Sequence, residues 1–161
     1  MPKNQTSVFL ADPQATDRFG ASVSALLQPG DIVLLKGDLG AGKTALARAI
    51  IRTLVKNPSL DVPSPSFALV QPYIAGTQAI VHADLYRLAE VHDVEELGLF
   101  DDPEAIVLIE WPERVPTLGE MAAYNLCLEL PADGQGRKIS IASSSNQTDL
   151  ATWARDEGFV L

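Results

Sequence analysis

The chain has 161 residues, 47% of them hydrophobic, which predicts one globular domain over residues 1–161 with a core of its own. Its 21 acidic and 12 basic residues give a formal charge of -9, which argues against a surface that binds nucleic acid directly. A single cysteine, Cys127, excludes an internal disulfide and, with only two histidines, a Cys/His zinc site. No apolar run reaches transmembrane length, so we expect a cytoplasmic protein without membrane contact.

The first predicted elements alternate between strand and helix. Residues 7–10 favour a short strand, and the Asp-Pro pair at 12–13 is typical of a helix N-cap followed by proline. That helix is expected to continue until the Gln-Pro-Gly stop at 28–30. The continuous apolar run 32–35 indicates a parallel strand buried on both faces. A second helix with a wide apolar face is predicted over residues 43–56.

The second half of the chain is predicted to consist mainly of strands. Short apolar or alternating runs between turn signals predict five of them, at residues 67–73, 79–85, 105–109, 124–130 and 138–142. A last helix is expected over residues 148–156. Helices interspersed among buried strands indicate an α/β fold with a three-layer, mostly parallel central sheet and antiparallel additions.

A phosphate-binding motif lies between the strand at 32–35 and the helix that follows. Residues 37–44 read Gly-Asp-Leu-Gly-Ala-Gly-Lys-Thr and match G-x-x-x-x-G-K-[ST], so the fold is expected to be that of P-loop NTPases. Backbone N–H groups of such a loop and the helix N-terminus form a cradle for polyphosphate. The residues predicted to bind the nucleotide are Asp38, Leu39, Gly40, Ala41, Gly42, Lys43 and Thr44. Lys43 is expected on the β- and γ-phosphates, and the Thr44 hydroxyl on Mg²⁺.

Two acidic residues, Asp84 and Glu110, come at the ends of predicted neighbouring strands, each after a largely apolar run. The carboxyl ends of parallel strands meet at the sheet edge that also carries the phosphate loop. Hydrolysis of a nucleotide needs carboxylates that hold Mg²⁺ and orient the attacking water. We therefore predict Asp84 and Glu110 as catalytic residues together with Lys43, and as metal ligands together with Thr44.

Two serines lie on an extended loop that Pro63 and Pro65 stiffen. The hydroxyls of Ser64 and Ser66 are predicted to sense the γ-phosphate, because such a contact exists only while that phosphate is attached. The alternative is that both are ordinary turn serines.

Four other residues keep two interpretations each. His82 is equally consistent with a site residue and with a hydrogen-bonded core histidine. Arg87 and Arg114 suit either stabilisation of transition-state charge or a surface salt bridge. Trp111 favours core or interface packing over a direct part in the chemistry.

Several segments together resemble one bacterial family, the ATPases of tRNA threonylcarbamoyladenosine biosynthesis called TsaE. The resemblance spans most of the chain and rests on the order and spacing of residues 37–44, Ser-Pro-Ser-Phe at 64–67, His-Ala-Asp-Leu-Tyr-Arg-Leu at 82–88, Ile-Glu-Trp-Pro-Glu at 109–113, and Thr16-x-x-x-Gly20. The family's usual T-S-P-T-F sequence is changed here at Pro63 and at Ser66, and only Ser66 keeps the hydroxyl.

The resemblance implies a small P-loop ATPase that uses ATP and Mg²⁺ and acts with two partner proteins, TsaB and TsaD. That assembly modifies adenosine 37 of tRNAs that read codons beginning with A, and the tRNA would be held mainly by the partners. ATP hydrolysis would support repeated turnover rather than the transfer step. The resemblance also makes Trp111 a functional neighbour of Glu110, and it places the Thr16 segment near the adenine.

Two other functions stay open from the sequence. Many small-molecule kinases are P-loop proteins of similar length, although such enzymes usually need an arginine-bearing lid. A nucleotide-gated binding module with negligible hydrolysis is the second alternative. A signalling GTPase is disfavoured because the chain has no N-K-x-D segment to read guanine.

Overall fold

Within residues 4–161, the part of the chain that the computed structural model describes, seven strands and three α-helices form the main elements. Residues 1–3 of the predicted domain lie outside the described residues. The strands are β1 (Asn4–Leu10), β2 (Ile32–Lys36), β3 (Val70–Ala75), β4 (Gln78–Asp84), β5 (Ile106–Glu110), β6 (Tyr124–Glu129) and β7 (Arg137–Ser143). The α-helices are α1 (Pro13–Ser24), α2 (Lys43–Val55) and α3 (Leu150–Asp156), and short 3₁₀ helices cover Val91–Leu97, Pro112–Arg114 and Pro116–Glu120.

One sheet contains all seven strands in the order β1-β7-β6-β2-β5-β4-β3. Its centre is parallel, because β2 pairs in parallel with β5 and β6, and β5 with β4. The outer pairings, β1 with β7, β7 with β6, and β3 with β4, are antiparallel. β2 and β5 are buried along almost their whole length, as their unbroken apolar sequences require when both faces of a sheet are covered. The predicted α/β fold with a mostly parallel centre is confirmed.

The sheet separates two hydrophobic clusters. Side chains alternate along β2, so that Val33 and Leu35 pack into one cluster and Ile32 and Leu34 into the other. The first cluster is covered by α1, α2 and α3. The second is covered mainly by the segments with 3₁₀ helices, which contribute Leu118. The three layers therefore have α-helices on one face and shorter 3₁₀ helices on the other.

Some predicted boundaries are wrong. α1 begins as expected, with Asp12 Oδ1 accepting a hydrogen bond from the Ala15 N–H at 2.8 Å, but it ends at Ser24, well before the predicted stop. β3 begins at Val70 rather than at residue 67, because residues 65–69 form a turn. In that turn the Leu69 N–H donates to the Pro65 carbonyl, and Leu69 has a left-handed backbone with φ 68°.

None of the helices in residues 4–161 combines the length and the apolar character that a membrane crossing requires.

Candidate functional site

The phosphate loop, residues 37–44, joins the C-terminal end of β2 to the first turn of α2. Gly37 and Gly42 have positive φ angles of 150° and 106°, which L side chains rarely adopt. A Cβ on Gly37 would also lie 2.7 Å from the carbonyl oxygen of Leu128. The path of the loop therefore requires these two glycines, and it brings the free N–H groups of the α2 N-terminus to the loop.

The Lys43 ammonium lies among polar and aromatic groups at the start of α2. Its Nζ donates to the carbonyl oxygens of Gly37 and Asp38, the second at 3.0 Å, and lies 4.1 Å from the centroid of the Trp111 ring. Burial lowers the pKa of Lys43, and the nearby Glu110 carboxylate is the largest influence in the opposite direction. The hydrogen-bond acceptors are neutral carbonyls, so phosphate oxygens would offer this ammonium stronger, charge-assisted bonds.

Asp84 and Glu110 end the adjacent strands β4 and β5, where they are register partners. They are 4% and 2% exposed. Ser64 Oγ donates to Asp84 Oδ2 at 2.9 Å, and the Tyr86 N–H donates to Asp84 Oδ1 at 2.9 Å. Thr44 Oγ1 donates to Glu110 Oε1 at 2.9 Å. The structure therefore brings both predicted acids, the predicted Mg²⁺-binding hydroxyl and one of the two serines into one cluster.

His82, whose role the sequence leaves open, contacts Glu110. Its Nε2 lies 2.7 Å from Glu110 Oε2, and the side chain is fully buried. The residue is therefore a core histidine whose hydrogen-bond partner is a predicted catalytic acid.

At least three cavities adjoin the phosphate loop, and two of them also contain predicted site residues from outside the loop. The first, of about 440 Å³, contains most of the predicted site residues in its lining: Leu39, Gly40, Gly42, Lys43, Thr44, Ser66, Asp84, Glu110 and Trp111. The second, of about 390 Å³, is lined among others by Thr16, Ala41 and Gly42. Asp38 lines neither of these two cavities but a third one, of about 560 Å³, on the side of β6, and its carbonyl oxygen accepts from Lys43. Gly42 and Ala45 line both of the first two cavities, so one extended ligand could occupy the two.

Comparison with known proteins decides the family. The model of the family described as threonylcarbamoyl adenosine biosynthesis protein TsaE matches residues 10–139. The chain belongs to the TsaE family. Proteins of this family act in tRNA threonylcarbamoyladenosine biosynthesis, so the resemblance seen in the sequence is confirmed.

Curated TsaE proteins from several bacteria are similar over most of their length. The protein from Synechocystis is 40% identical over 123 residues, which are 73% of this chain and 77% of the relative. The Rickettsia conorii protein is 39% identical over 152 residues, 91% of this chain and 86% of the relative. The Rickettsia felis protein is 35% identical over 144 residues, 89% and 83% of the two chains.

A solved structure supports the fold. The crystal structure of YdiB from Bacillus superposes with a TM-score of 0.73 and covers 98% of this chain and 99% of its own. Its sequence is 21% identical, so this likeness concerns the fold alone.

Oxygen donors suited to Mg²⁺ meet at the first cavity of this TsaE-family chain. They are the Thr44 hydroxyl and the carboxylates of Asp84 and Glu110, and Mg²⁺ prefers such hard oxygen ligands. Among residues 4–161, no group of three or more His, Cys, Asp or Glu side chains could hold a metal by itself. Mg²⁺ in nucleotide sites generally takes one or two carboxylates and completes its shell with phosphates and water.

Sequence reasoning missed Arg137, the first residue of β7. Its Nε donates to the carbonyl of Ala41 at 2.9 Å and its Nη2 to that of Gly40 at 3.2 Å, so the guanidinium holds the outer side of the phosphate loop. It also lines the second cavity beside Thr16. No local signal marks this residue, because its partners lie almost a hundred positions earlier in the chain.

Three other residues that kept two interpretations lie among aromatic rings, namely Arg87, Arg114 and Trp111. The Arg87 guanidinium lies 4.3 Å from the Phe67 ring centroid, and that of Arg114 lies 5.7 Å from the Tyr86 centroid. The Tyr86 and Trp111 centroids are 4.9 Å apart. Trp111 itself has a left-handed backbone with φ 57° and ψ 47°, which is uncommon for a bulky residue. Arg87 and Trp111 line the first cavity, whereas Arg114 does not.

Proposed function

We propose that this TsaE-family chain binds ATP with Mg²⁺ and hydrolyses the ATP, and that hydrolysis supports repeated turnover of partner proteins of the TsaB and TsaD type. One observation carries the proposal. Thr44 Oγ1 lies 2.9 Å from Glu110 Oε1, in the cavity that Lys43 and Asp84 also line. A phosphate-binding loop, a metal-binding hydroxyl and two carboxylates thus face the same space, as nucleotide hydrolysis requires.

In the proposed bound state, the triphosphate lies along the phosphate loop. Backbone N–H groups of residues 38–44 donate to its oxygens, and the α2 N-terminus adds a favourable partial charge. Lys43 moves its hydrogen bonds from the loop carbonyls to the β- and γ-phosphates. The adenosine extends past Gly42 into the second cavity, where Thr16 lies.

In the proposed hydrolysis step, Thr44 and one of the two carboxylates hold Mg²⁺, and the other carboxylate orients the attacking water. Bound Mg²⁺ supplies positive charge that neutralises the charge developing on the phosphate oxygens. The low exposure of Asp84 and Glu110 supports this assignment, because charges in a poorly hydrated cavity interact more strongly than in water. Ser64 and Ser66 lie on the loop beside Asp84, where they can report whether the γ-phosphate is present.

Membership of the TsaE family is the basis for proposing the partner proteins and the tRNA. The net charge of -9 supports indirect contact with tRNA through TsaB-type and TsaD-type proteins at adenosine 37. We further propose that residues 1–161 act as a single ATPase domain located in the cytoplasm.

The testing experiment measures phosphate release from ATP and Mg²⁺ by the chain, with and without the purified partner proteins. We expect hydrolysis that the partners stimulate. Glu110→Gln should lower the rate by at least about 100-fold, because a positioned acid or base contributes about this much, while ATP binding persists. Glu120→Gln, an equal change at an exposed position outside the site, should leave the rate unchanged.

Reconstituted tRNA modification tests the role in turnover. Without this chain we expect about one round of modification per partner complex, and with it many rounds. Equal hydrolysis by the parent and Glu110→Gln would remove Glu110 from the mechanism. Transfer of the phosphate to a metabolite would favour a small-molecule kinase, and ATP binding without phosphate release would favour a nucleotide-gated module.

A further inference from the structure

His82 lies on the face of β4 that also carries Asp84, next to β5. Its register partner on β5 is Leu108, and Glu110 lies two residues further along the same face. This diagonal arrangement brings His82 Nε2 to 2.7 Å from Glu110 Oε2. The imidazole is fully buried and therefore cannot exchange this partner for solvent.

The second ring nitrogen of His82 decides which tautomer fits. Nδ1 is buried without a hydrogen-bond partner in the structure of residues 4–161. A proton on Nδ1 would be a buried donor without an acceptor, and it would leave Nε2 as a lone pair facing the Glu110 carboxylate. A proton on Nε2 satisfies the carboxylate and leaves only an acceptor unpaired on Nδ1. The geometry therefore favours a ring that donates from Nε2 to the Glu110 carboxylate.

This donor fixes the rotation of the Glu110 carboxylate. Thr44 Oγ1 lies 2.9 Å from Oε1 and 3.0 Å from Oε2, whereas His82 Nε2 contacts Oε2, so His82 is the contact that distinguishes the two carboxylate oxygens. Each oxygen retains further acceptor capacity, and Glu110 lines the first cavity. A carboxylate that acts on a metal or a water must be held in its working orientation before the reaction, because small displacements cost large rate factors.

We propose that His82 is a positioning residue that aims the Glu110 carboxylate at the phosphate cavity through a hydrogen bond from Nε2–H. The inference rests on the proposed role of Glu110 in hydrolysis. It goes further because it assigns a function to a buried residue that touches neither nucleotide nor metal in that proposal. It also specifies the atom and the tautomer through which His82 acts.

Three substitutions separate hydrogen bonding from packing. The amide nitrogen of His82→Gln reaches the position of Nε2, that of His82→Asn reaches only the position of Nδ1, and His82→Leu fills the space without a donor. We expect the Leu and Asn variants to lose about 10- to 100-fold in kcat with little change in KM for ATP. His82→Gln should restore most of the lost kcat. If packing alone mattered, Leu would retain kcat and Gln would lose it, and that order would overturn the inference.

Nuclear magnetic resonance of the chain without nucleotide provides a test independent of hydrolysis. The chain has two histidines, and His92 is exposed, so ¹⁵N-histidine labelling of the parent and of His92→Gln assigns both rings. We expect His82 to have a proton on Nε2 and none on Nδ1, and the Nε2 resonance to shift in Glu110→Gln. A proton on Nδ1, with or without one on Nε2, would overturn the inference even if a substitution at this buried position prevented folding.

The outcomes that contradict the role of His82 differ from those that contradict the proposed ATP hydrolysis. A parent chain that hydrolyses ATP, with His82→Leu at the same kcat, contradicts the role of His82 and leaves the proposed function intact. A parent that hydrolyses no ATP with or without partners contradicts the proposed function, and with it the positioning role in hydrolysis. The resonance spectrum still shows in that case whether the hydrogen bond to Glu110 exists.

Discussion

Two opposing influences act on the pKa of Lys43, namely the burial of its ammonium and the negative charge of nearby carboxylates. Its side chain is largely buried, and burial lowers its pKa, yet Glu110, Glu113 and Asp84 all act to raise it. The ammonium therefore lies where negative charge is favourable, although its hydrogen-bond acceptors are neutral carbonyls. Its distance of 4.1 Å from the Trp111 centroid gives the position a spectroscopic reporter.

Replacement of Lys43 by alanine should abolish most ATP binding. Loss of the charge-assisted hydrogen bonds to phosphate is expected to weaken the affinity by about 100-fold, because such bonds contribute about 1.5–3 kcal/mol each. In a Trp153→Phe background, where Trp111 is the remaining tryptophan, ATP should change the emission of Trp111 as the ammonium moves away from the ring.

The matched control for Lys43→Ala is Lys138→Ala, because Lys138 is exposed on β7. It should bind ATP like the parent and show the same change in emission. Lys43→Ala with parental affinity would show that the loop amides alone bind the phosphates.

Site residues that belong to a local sequence pattern could be predicted, whereas those that depend on contacts between distant segments could not. Asp84 and Glu110 follow largely apolar runs, and adjacent parallel strands then place them side by side. The hydrogen bond from His82 to Glu110 could not be predicted, because it depends on a diagonal contact between two strands whose register the sequence leaves open. Arg137 was missed for the same reason, since only the β6–β7 hairpin returns it to the phosphate loop.

Among the elements, the packing of α1 on α2 depends on one glycine. A Cβ on Gly20 would collide with the Cβ of Ala49 and would lie 3.2 Å from both the Ala49 carbonyl carbon and the Ile50 nitrogen. Gly20 therefore permits the close approach of two helices that cover the sheet beside the phosphate loop. The resemblance associates the Thr16-x-x-x-Gly20 segment with adenine, and the structure gives its glycine a packing role.

Gly20→Ala should destabilise the chain, although the same change in an exposed helix normally stabilises it. Overpacking at a backbone contact is expected to cost about 1–3 kcal/mol in the free energy of unfolding, measured by denaturant titration. Adding Ala49→Gly should recover part of this loss, because it removes the colliding methyl group. The control Gly119→Ala meets open space and should change stability by less than about 1 kcal/mol. Equal stability of Gly20→Ala and the parent would show that the helices can separate at no cost.

The elements themselves could be predicted where periodicity is strong. β2, β5 and α2 have long apolar patterns, and their observed bounds lie within a residue of those expected. The segments that cover the other face of the sheet were harder to predict, because residues 85–104 and 111–120 contain no sustained helical period and their helices are short 3₁₀ helices. The start of β3 was wrong because a left-handed leucine, Leu69, is not recognisable from local sequence.

At the scale of the whole molecule, the net negative charge is compatible with a nucleotide site at the phosphate loop but disfavours direct binding of nucleic acid to the surface. In the proposed function the phosphate loop binds one triphosphate, because backbone N–H groups and Lys43 converge on a small volume. The full chain carries 21 acidic against 12 basic residues, and residues 90–104 contain seven acids without a lysine or arginine. A tRNA that approached this chain alone would therefore meet an unfavourable field over most of the surface.

We accordingly expect the chain alone to bind tRNA more weakly than about 10⁻⁴ M at physiological salt, the weak limit of non-specific binding by basic proteins. Fluorescence anisotropy of labelled tRNA at two salt concentrations measures this, first with the chain alone and then with the partner proteins added. The chain should join a tRNA complex only in the second case. An affinity tighter than about 10⁻⁵ M without partners, weakening steeply as salt rises, would reveal a basic surface that the composition does not suggest. It would also contradict indirect contact, because counterion release on that scale requires several lysines or arginines acting together on the phosphate backbone.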